Sequence, residues 1–123
     1  MENNVYLSFY LGSYTIRIFK DAIRKLQTPR FIQIQIHKDG HSLMIAPSNV
    51  NSLTTFRVPK NIYQDNGNME VHSYGLCRII AEKLHGDITR SYRVPGYYIP
   101  EKGVAIFQLT KAELIPSTSS PYN

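Results

Sequence analysis

The stretch from Arg30 to His37, which reads RFIQIQIH, decides the fold class because polar and apolar residues alternate along it. A period of two is typical of a strand that has one face on the core and the other in water. Lys38-Asp39-Gly40 then supplies a turn, and residues 42–46 return as a second strand. The sequence therefore predicts a β-hairpin whose buried face carries Ile32, Ile34 and Ile36.

Two other segments have apolar residues at helical spacing, residues 19–26 and residues 76–84. Each follows a short strand-like run and precedes a hairpin, and the second hairpin spans about residues 92–109. These patterns predict an α+β fold, with two strand–helix–β-hairpin units in one small domain of mainly antiparallel sheet. The two units suggest an internal repeat of residues 14–59 and 69–112, and coincidental alternation of helices and strands is the alternative.

The length of 123 residues suits a single domain covering residues 1–123. Residues 116–123, which begin PSTSSP, predict a flexible tail. The expected core combines residues from both units, namely Ile23, Leu26, Ile34, Leu76, Ile80 and Phe107.

The tyrosine-rich stretch Val5–Leu11 follows an acidic residue and precedes Gly12, which is unlike a signal peptide. No apolar run approaches the roughly 18 residues that a membrane span needs. We therefore expect a cytoplasmic protein that does not associate with membranes. Residues 5–11 would then be part of the fold, or an arm that joins a sheet edge or contacts another subunit, and a homodimer or higher homo-oligomer is predicted.

Motifs that carry catalysis or hold cofactors do not occur in this sequence. It has no glycine-rich phosphate loop, no His-Glu-x-x-His motif and only one cysteine, Cys77, which is expected to be a small buried helix residue. We predict a protein that is not an enzyme and that uses no cofactor or metal. The alternative is a small metal-dependent nuclease using His37, Asp39 and His41 around the hairpin turn, although a third and fourth metal ligand are not identifiable.

The features of the sequence that indicate a function are its basic and aromatic residues. The formal net charge is +5 and the pI is near 9.4, which favours polyanionic partners. The densest cluster is residues 90–98, where arginines that pair with phosphate alternate with tyrosines that stack on bases. The alternative is an ordinary strand with solvated arginines. The predicted ligand-binding residues are Arg57, Arg90, Tyr92, Arg93 and Tyr97.

Arg57 belongs to this set because Phe56-Arg57-Val58-Pro59 reads much like Tyr92-Arg93-Val94-Pro95. These two motifs, the Lys38-Asp39-Gly40 turn and the helical pattern around Ile23 resemble small uncharacterised proteins of Gram-positive prophages and mobile elements. The resemblance covers about residues 14–112. Some small phage proteins of this kind are anti-defence factors, and the resemblance assigns no site residue.

Charge and resemblance together predict a non-enzymatic, phage-type binding protein that antagonises host defence. Its partner would be an anionic ligand, either a nucleotide signal or a nucleic acid, or a host defence protein that handles nucleic acid. A DNA-binding regulator is a second alternative, although the two predicted helices are too far apart for a helix-turn-helix.

Overall fold

The computed structural model describes residues 4–64, 67–84 and 89–116, and the structural statements below concern those residues. Two α-helices, α1 Lys20–Lys25 and α2 Tyr74–Leu84, and two short 3₁₀ helices, Leu11–Ser13 and Leu109–Lys111, lie within these ranges. The strands in the same ranges are β1 Asn4–Tyr10, β2 Thr15–Phe19, β3 Phe31–Ile36, β4 Ser42–Ser48, β5 Thr55–Arg57, β6 Asn68–His72, β7 Ser91–Ile99, β8 Val104–Gln108 and β9 Glu113–Leu114.

All of these strands belong to one antiparallel sheet, in the order β5-β3-β4-β8-β7-β1-β2-β6, and β9 also pairs with β7. The sheet curves into a nearly closed, barrel-like form. The longest pairing joins β1 to β7, where Asn4 faces Tyr97 and Tyr10 faces Ser91. This pairing joins two strands that are distant in sequence near the middle of the sheet.

The prediction of an α+β fold with two strand–helix–β-hairpin units is wrong. Strands assigned to different units pair with each other, β2 with β6 and β4 with β8, so the units are merged into one sheet. Within the described ranges only α2 exceeds two turns, because α1 has six residues. A helix as short as α1 cannot cover a hairpin, and the curved sheet instead buries its own apolar face.

The hairpin predicted at residues 30–46 is confirmed. β3 pairs with β4, with Ile34 opposite Ile45. The turn contains Gly40 at a φ of +77°, a backbone conformation that glycine adopts without strain. Ile32 and Ile34 are buried and Gln35 is exposed, as the period of two predicts.

The hydrophobic core lies inside the curved sheet and receives side chains from nearly every strand. Of the six predicted core residues, five are buried and Leu76 is partly buried against the core. α2 closes one side of this core through Cys77 and Ile80, and its first turn is capped by Ser73, whose Oγ accepts the N–H of Leu76 at 3.2 Å.

The stretch Val5–Leu11 is part of the fold, which is one of the two predicted alternatives, and is not a peripheral arm. Its residues up to Tyr10 lie in β1, which is flanked by β2 on one side and by β7 on the other. The strand's hydrogen-bonding edges are therefore occupied, and the predicted homodimer would need another surface. Of the predicted tail at residues 116–123, all but Pro116 lies outside the described residues. No helix in the described ranges has the length and apolar character required to cross a membrane.

Candidate functional site

The outer face of β7 carries two of the predicted site residues. Side chains alternate along this strand, so Arg93 and Tyr97 are exposed on the outer face while Val94 is buried in the core. Tyr92 lies on the same side as Val94 and packs, partly buried, against the core. Tyr92 therefore lies on the opposite face of β7 from Arg93 and Tyr97.

Arg93 stacks on a tyrosine of the neighbouring strand. Its guanidinium carbon lies 4.3 Å from the centre of the Tyr6 ring in β1. In the part of the chain that the structure describes, no ion pair includes Arg93, although Glu113 lies opposite it in the β7–β9 pairing. The ring restricts the guanidinium without neutralising it, so the positive charge remains available to a ligand.

A cleft of about 340 Å³ opens beside this pair, and we call it the Tyr6–Arg93 cleft. Lys20, the first residue of α1, adds a second cation to its lining. Asp21 also lines the cleft, but its Oδ1 accepts a hydrogen bond from Nη1 of Arg24 at 2.9 Å. Two asparagines, Asn4 and Asn68, also line the cleft.

The chemistry of this lining suits a phosphorylated ligand that bears a ring. A guanidinium can hold two phosphate oxygens, and an ammonium adds a point charge. Tyr6 is 39% exposed, which leaves part of the phenol ring for stacking. The volume lies at the lower end of the range for small-molecule sites, about 300–1,000 Å³, which matches one nucleotide unit.

A second cleft, of about 320 Å³, adjoins the first because Asn68 lines both. The basic residue in its lining, Arg17, is already paired with the carboxylate of Glu70. Nη2 and Nε of Arg17 donate to Oε2 of Glu70 at 2.8 Å and 3.1 Å, and the guanidinium carbon lies 4.8 Å from the centre of the Tyr10 ring. The paired charge makes this cleft a weaker anion site than the Tyr6–Arg93 cleft.

Of the other predicted site residues, Arg57 and Arg90 lie away from the Tyr6–Arg93 cleft, and Tyr97 lies beside it. Arg57 lies on the edge strand β5 and lines a separate cleft with Arg30 and Lys60. Arg90 is exposed just before β7, its carbonyl accepts the N–H of Leu11 at 3.3 Å, and it lines none of these three clefts. Tyr97 pairs with Asn4, which places it beside the Tyr6–Arg93 cleft.

Sequence reasoning did not assign Tyr6 or Lys20 to a site. The signal for Tyr6 was present, because VYLSFYL at residues 5–11 alternates with period two and predicts a strand with Tyr6 on its polar face. Lys20 carried no such signal. It reaches the cleft because β2 ends at Phe19 and α1 begins immediately after it.

The three residues of the alternative nuclease site, His37, Asp39 and His41, lie close together at the hairpin turn. Nδ1 of His37 lies 3.0 Å from Oδ1 of Asp39, and Nδ1 of His41 lies 3.7 Å from Oδ2. The backbone N–H of His41 donates to Oδ1 of Asp39 at 2.8 Å, and this bond, with the two imidazoles, lowers the pKa of the carboxyl group. Among the residues described, these three included, no His, Cys, Asp and Glu group is arranged to hold a metal ion.

Cys77 is fully buried in α2. Burial raises the pKa of its thiol to about 11, because the apolar surroundings disfavour the thiolate. The prediction of a small buried helix residue is confirmed. A thiol held in its neutral form is a poor nucleophile.

Comparisons of the chain with protein-family models, with curated proteins and with solved structures each found no match.

Proposed function

We propose that this protein binds the phosphate and base of one nucleotide unit in the Tyr6–Arg93 cleft. The observation that carries the proposal is the Arg93 guanidinium, which stacks on Tyr6 at 4.3 Å and has no carboxylate partner within the described ranges. Arg93 and Lys20 would hold the phosphate, and the exposed part of the Tyr6 ring would stack on the base.

The arrangement of charges supports this choice over the neighbouring cleft. Asp21 is the acidic group in the lining, and its contact with Arg24 reduces the repulsion that a phosphate would meet. Arg17, by contrast, would have to leave Glu70 before it could bind a ligand. Neither alternative, the DNA-binding regulator or the metal-dependent nuclease, has a comparable supporting observation in the part of the chain described.

The experiment is a calorimetric titration of the full chain with nucleoside monophosphates and with short single-stranded oligonucleotides. Arg93→Gln should weaken binding about tenfold or more, because a charged hydrogen bond to phosphate is worth about 1.5–3 kcal/mol. Arg93→Lys should recover only part of the affinity, since an ammonium cannot pair with two phosphate oxygens at once.

Arg78→Gln is the matched control. Arg78 is also exposed and also stacks on a tyrosine, at 5.5 Å from the centre of the Tyr74 ring, but it lies on α2 away from the cleft lining. Equal binding by the Arg93→Gln and Arg78→Gln proteins would overturn the proposal. Binding of oligonucleotides but not of monophosphates would identify the nucleotide unit as part of a strand.

The wider role rests on the resemblance to small phage proteins. A protein that captures a nucleotide unit would antagonise host defence by removing a nucleotide signal or by occupying nucleic acid that a defence enzyme needs. This role, the cytoplasmic location, the homodimer and the absence of enzymatic activity all remain predictions.

A further inference from the structure

The cleft that contains Arg57 has a different charge pattern from the two clefts described above. Its volume is about 260 Å³, and its lining includes the basic residues Arg30, Arg57 and Lys60 but, among the residues described, no acidic one. We call it the Arg57 cleft. It shares no lining residue with the Tyr6–Arg93 cleft.

The two arginines of this cleft are held by one aromatic ring. The guanidinium carbon of Arg57 lies 5.0 Å from the centre of the Phe31 ring, and that of Arg30 lies 5.9 Å from it. Phe31 is only 3% exposed, yet it is absent from the main hydrophobic core cluster. Its side chain is therefore buried on the outer side of the sheet, where it supports the two cations.

No carboxylate among the residues that the structure describes pairs with any of the three cations. The ion pairs within the described ranges include neither Arg30 nor Arg57 nor Lys60. Like charges placed close together repel one another, so an arrangement of three without a counter-charge is stabilised by any anion that enters.

The backbone around the cleft is fixed before a ligand arrives. The N–H of Val58 donates to the carbonyl of Arg30 at 2.9 Å, which ties the strand that ends at Arg57 to the start of β3. Proline occupies positions 29 and 59 of the lining and restricts the chain on both sides. A pre-organised site loses less conformational entropy when it binds.

We propose that the Arg57 cleft is a second anion site, separate from the proposed nucleotide site, and that it binds a phosphate group. Phosphate is the compact anion whose oxygens match the paired N–H groups of arginine, and a phosphate dianion offsets most of the charge of three cations. The phosphate could belong to a free phosphorylated compound or to the end or backbone of a nucleic acid strand. The proposal does not depend on the nucleotide site.

The test follows the side-chain Nε–H signals of the arginines by NMR while inorganic phosphate is added to the full chain. We expect the Arg57 and Arg30 signals to shift with saturation and the Arg78 signal to stay constant. Arg57→Gln should weaken the binding of phosphate about tenfold, and Arg78→Gln should leave it unchanged. Arg78 is a close match because each substitution removes one exposed arginine stacked on a ring, at 5.0 Å and 5.5 Å respectively.

The two sources of phosphate are separated by oligonucleotides with and without a 5′-phosphate. If the site takes a terminal phosphate, the phosphorylated strand binds more tightly and Arg57→Gln removes the difference. If the site takes a backbone phosphate, Arg57→Gln weakens both strands equally and reduces the salt dependence of binding by about one ion.

Each measurement is repeated in the Arg93→Gln protein. This variant shows whether the proposal for the Arg57 cleft fails independently of the proposal for the nucleotide site. Saturable shifts of Arg57 in that protein would support the Arg57 cleft even if the nucleotide site were wrong. The absence of any shift at Arg30 and Arg57, or an equal effect of Arg57→Gln and Arg78→Gln, would overturn the proposal.

Discussion

Arg17 and Arg93 lie in register with the same residue, Ser8, on the two strands that flank β1. Each arginine stacks on a tyrosine of β1, Arg17 on Tyr10 and Arg93 on Tyr6. Only Arg17 is also bound by a carboxylate among the described ion pairs. Two similar arginines on one face of the sheet therefore differ in the charge that they offer to a ligand.

Glu70→Gln should make Arg17 available as well. Removal of the carboxylate leaves a second unpaired guanidinium near the Tyr6–Arg93 cleft, so we expect nucleotide affinity to rise several-fold, with a steeper salt dependence. The loss of stability should stay within about 1 kcal/mol, because both side chains of the Arg17–Glu70 pair are partly exposed. Calorimetry at two salt concentrations measures the change in affinity. Glu101→Gln removes the same charge at an exposed turn, and an equal gain there would mean that net charge alone is responsible.

Ile34→Asp should prevent folding. Ile34 is buried on the core face of β3, where an unpaired carboxylate costs about 3 kcal/mol or more. Gln35→Asp is the control, because the next side chain along the strand is exposed. Circular dichroism and thermal melting should show an unfolded Ile34→Asp protein and a folded Gln35→Asp protein. Similar melting of both proteins would contradict the burial of alternate residues in β3.

Gly96→Ala should destabilise the sheet by about 1–3 kcal/mol. A Cβ at this position would lie 2.4 Å from the carbonyl oxygen of Ile106 and 2.5 Å from Cδ1 of Phe107, so β7 and β8 would have to move apart. Gly75→Ala in α2 meets no atom within 4 Å and should be neutral or stabilising by up to about 1 kcal/mol. Urea unfolding of the two variants measures both effects. An unchanged midpoint for Gly96→Ala would refute the close approach of β8.

Cys77 should react slowly with iodoacetamide at pH 8 in the folded protein and quickly after denaturation. The thiol is buried, and its pKa is raised from 9.0 to about 11. The same shift makes folding sensitive to alkali, because between pH 9 and 11 the unfolded chain loses this proton and the folded chain keeps it. Stability should therefore fall as pH rises through this interval, and Cys77→Ala should lessen the fall. Equal alkylation rates in the folded and unfolded protein would show that the thiol is accessible.

The sequence predicts local elements well where one pattern has one interpretation. The alternation at residues 31–36 predicts a hairpin strand with one buried face, and the structure contains that hairpin. The alternation at residues 5–11 is equally regular, but a tyrosine-rich stretch also suits an arm that packs on a partner. Its pairing partner, β7, lies more than eighty residues away, and no local pattern identifies such a partner.

The same limit applies to the candidate sites. Arg93 could be selected from the sequence because arginines and tyrosines are concentrated around it. Tyr6 and Lys20 complete the cleft only through the register of β1 against β7 and the position at which α1 begins. The likeness of their sequence contexts predicts equivalent positions for Arg57 and Arg93. The sheet order instead separates β5 from β7 and gives each arginine its own cleft.

The position of β1 between β2 and β7 has a consequence for biosynthesis. On the ribosome, β1 is synthesised well before β7, the strand that covers its second edge, which is made only after residue 90. Until then the nascent chain carries an apolar strand with an open edge, which is the kind of segment that aggregates or recruits chaperones. Cooperative folding therefore has to wait for residues 91–99, and fragments that end before them should be insoluble or rapidly degraded.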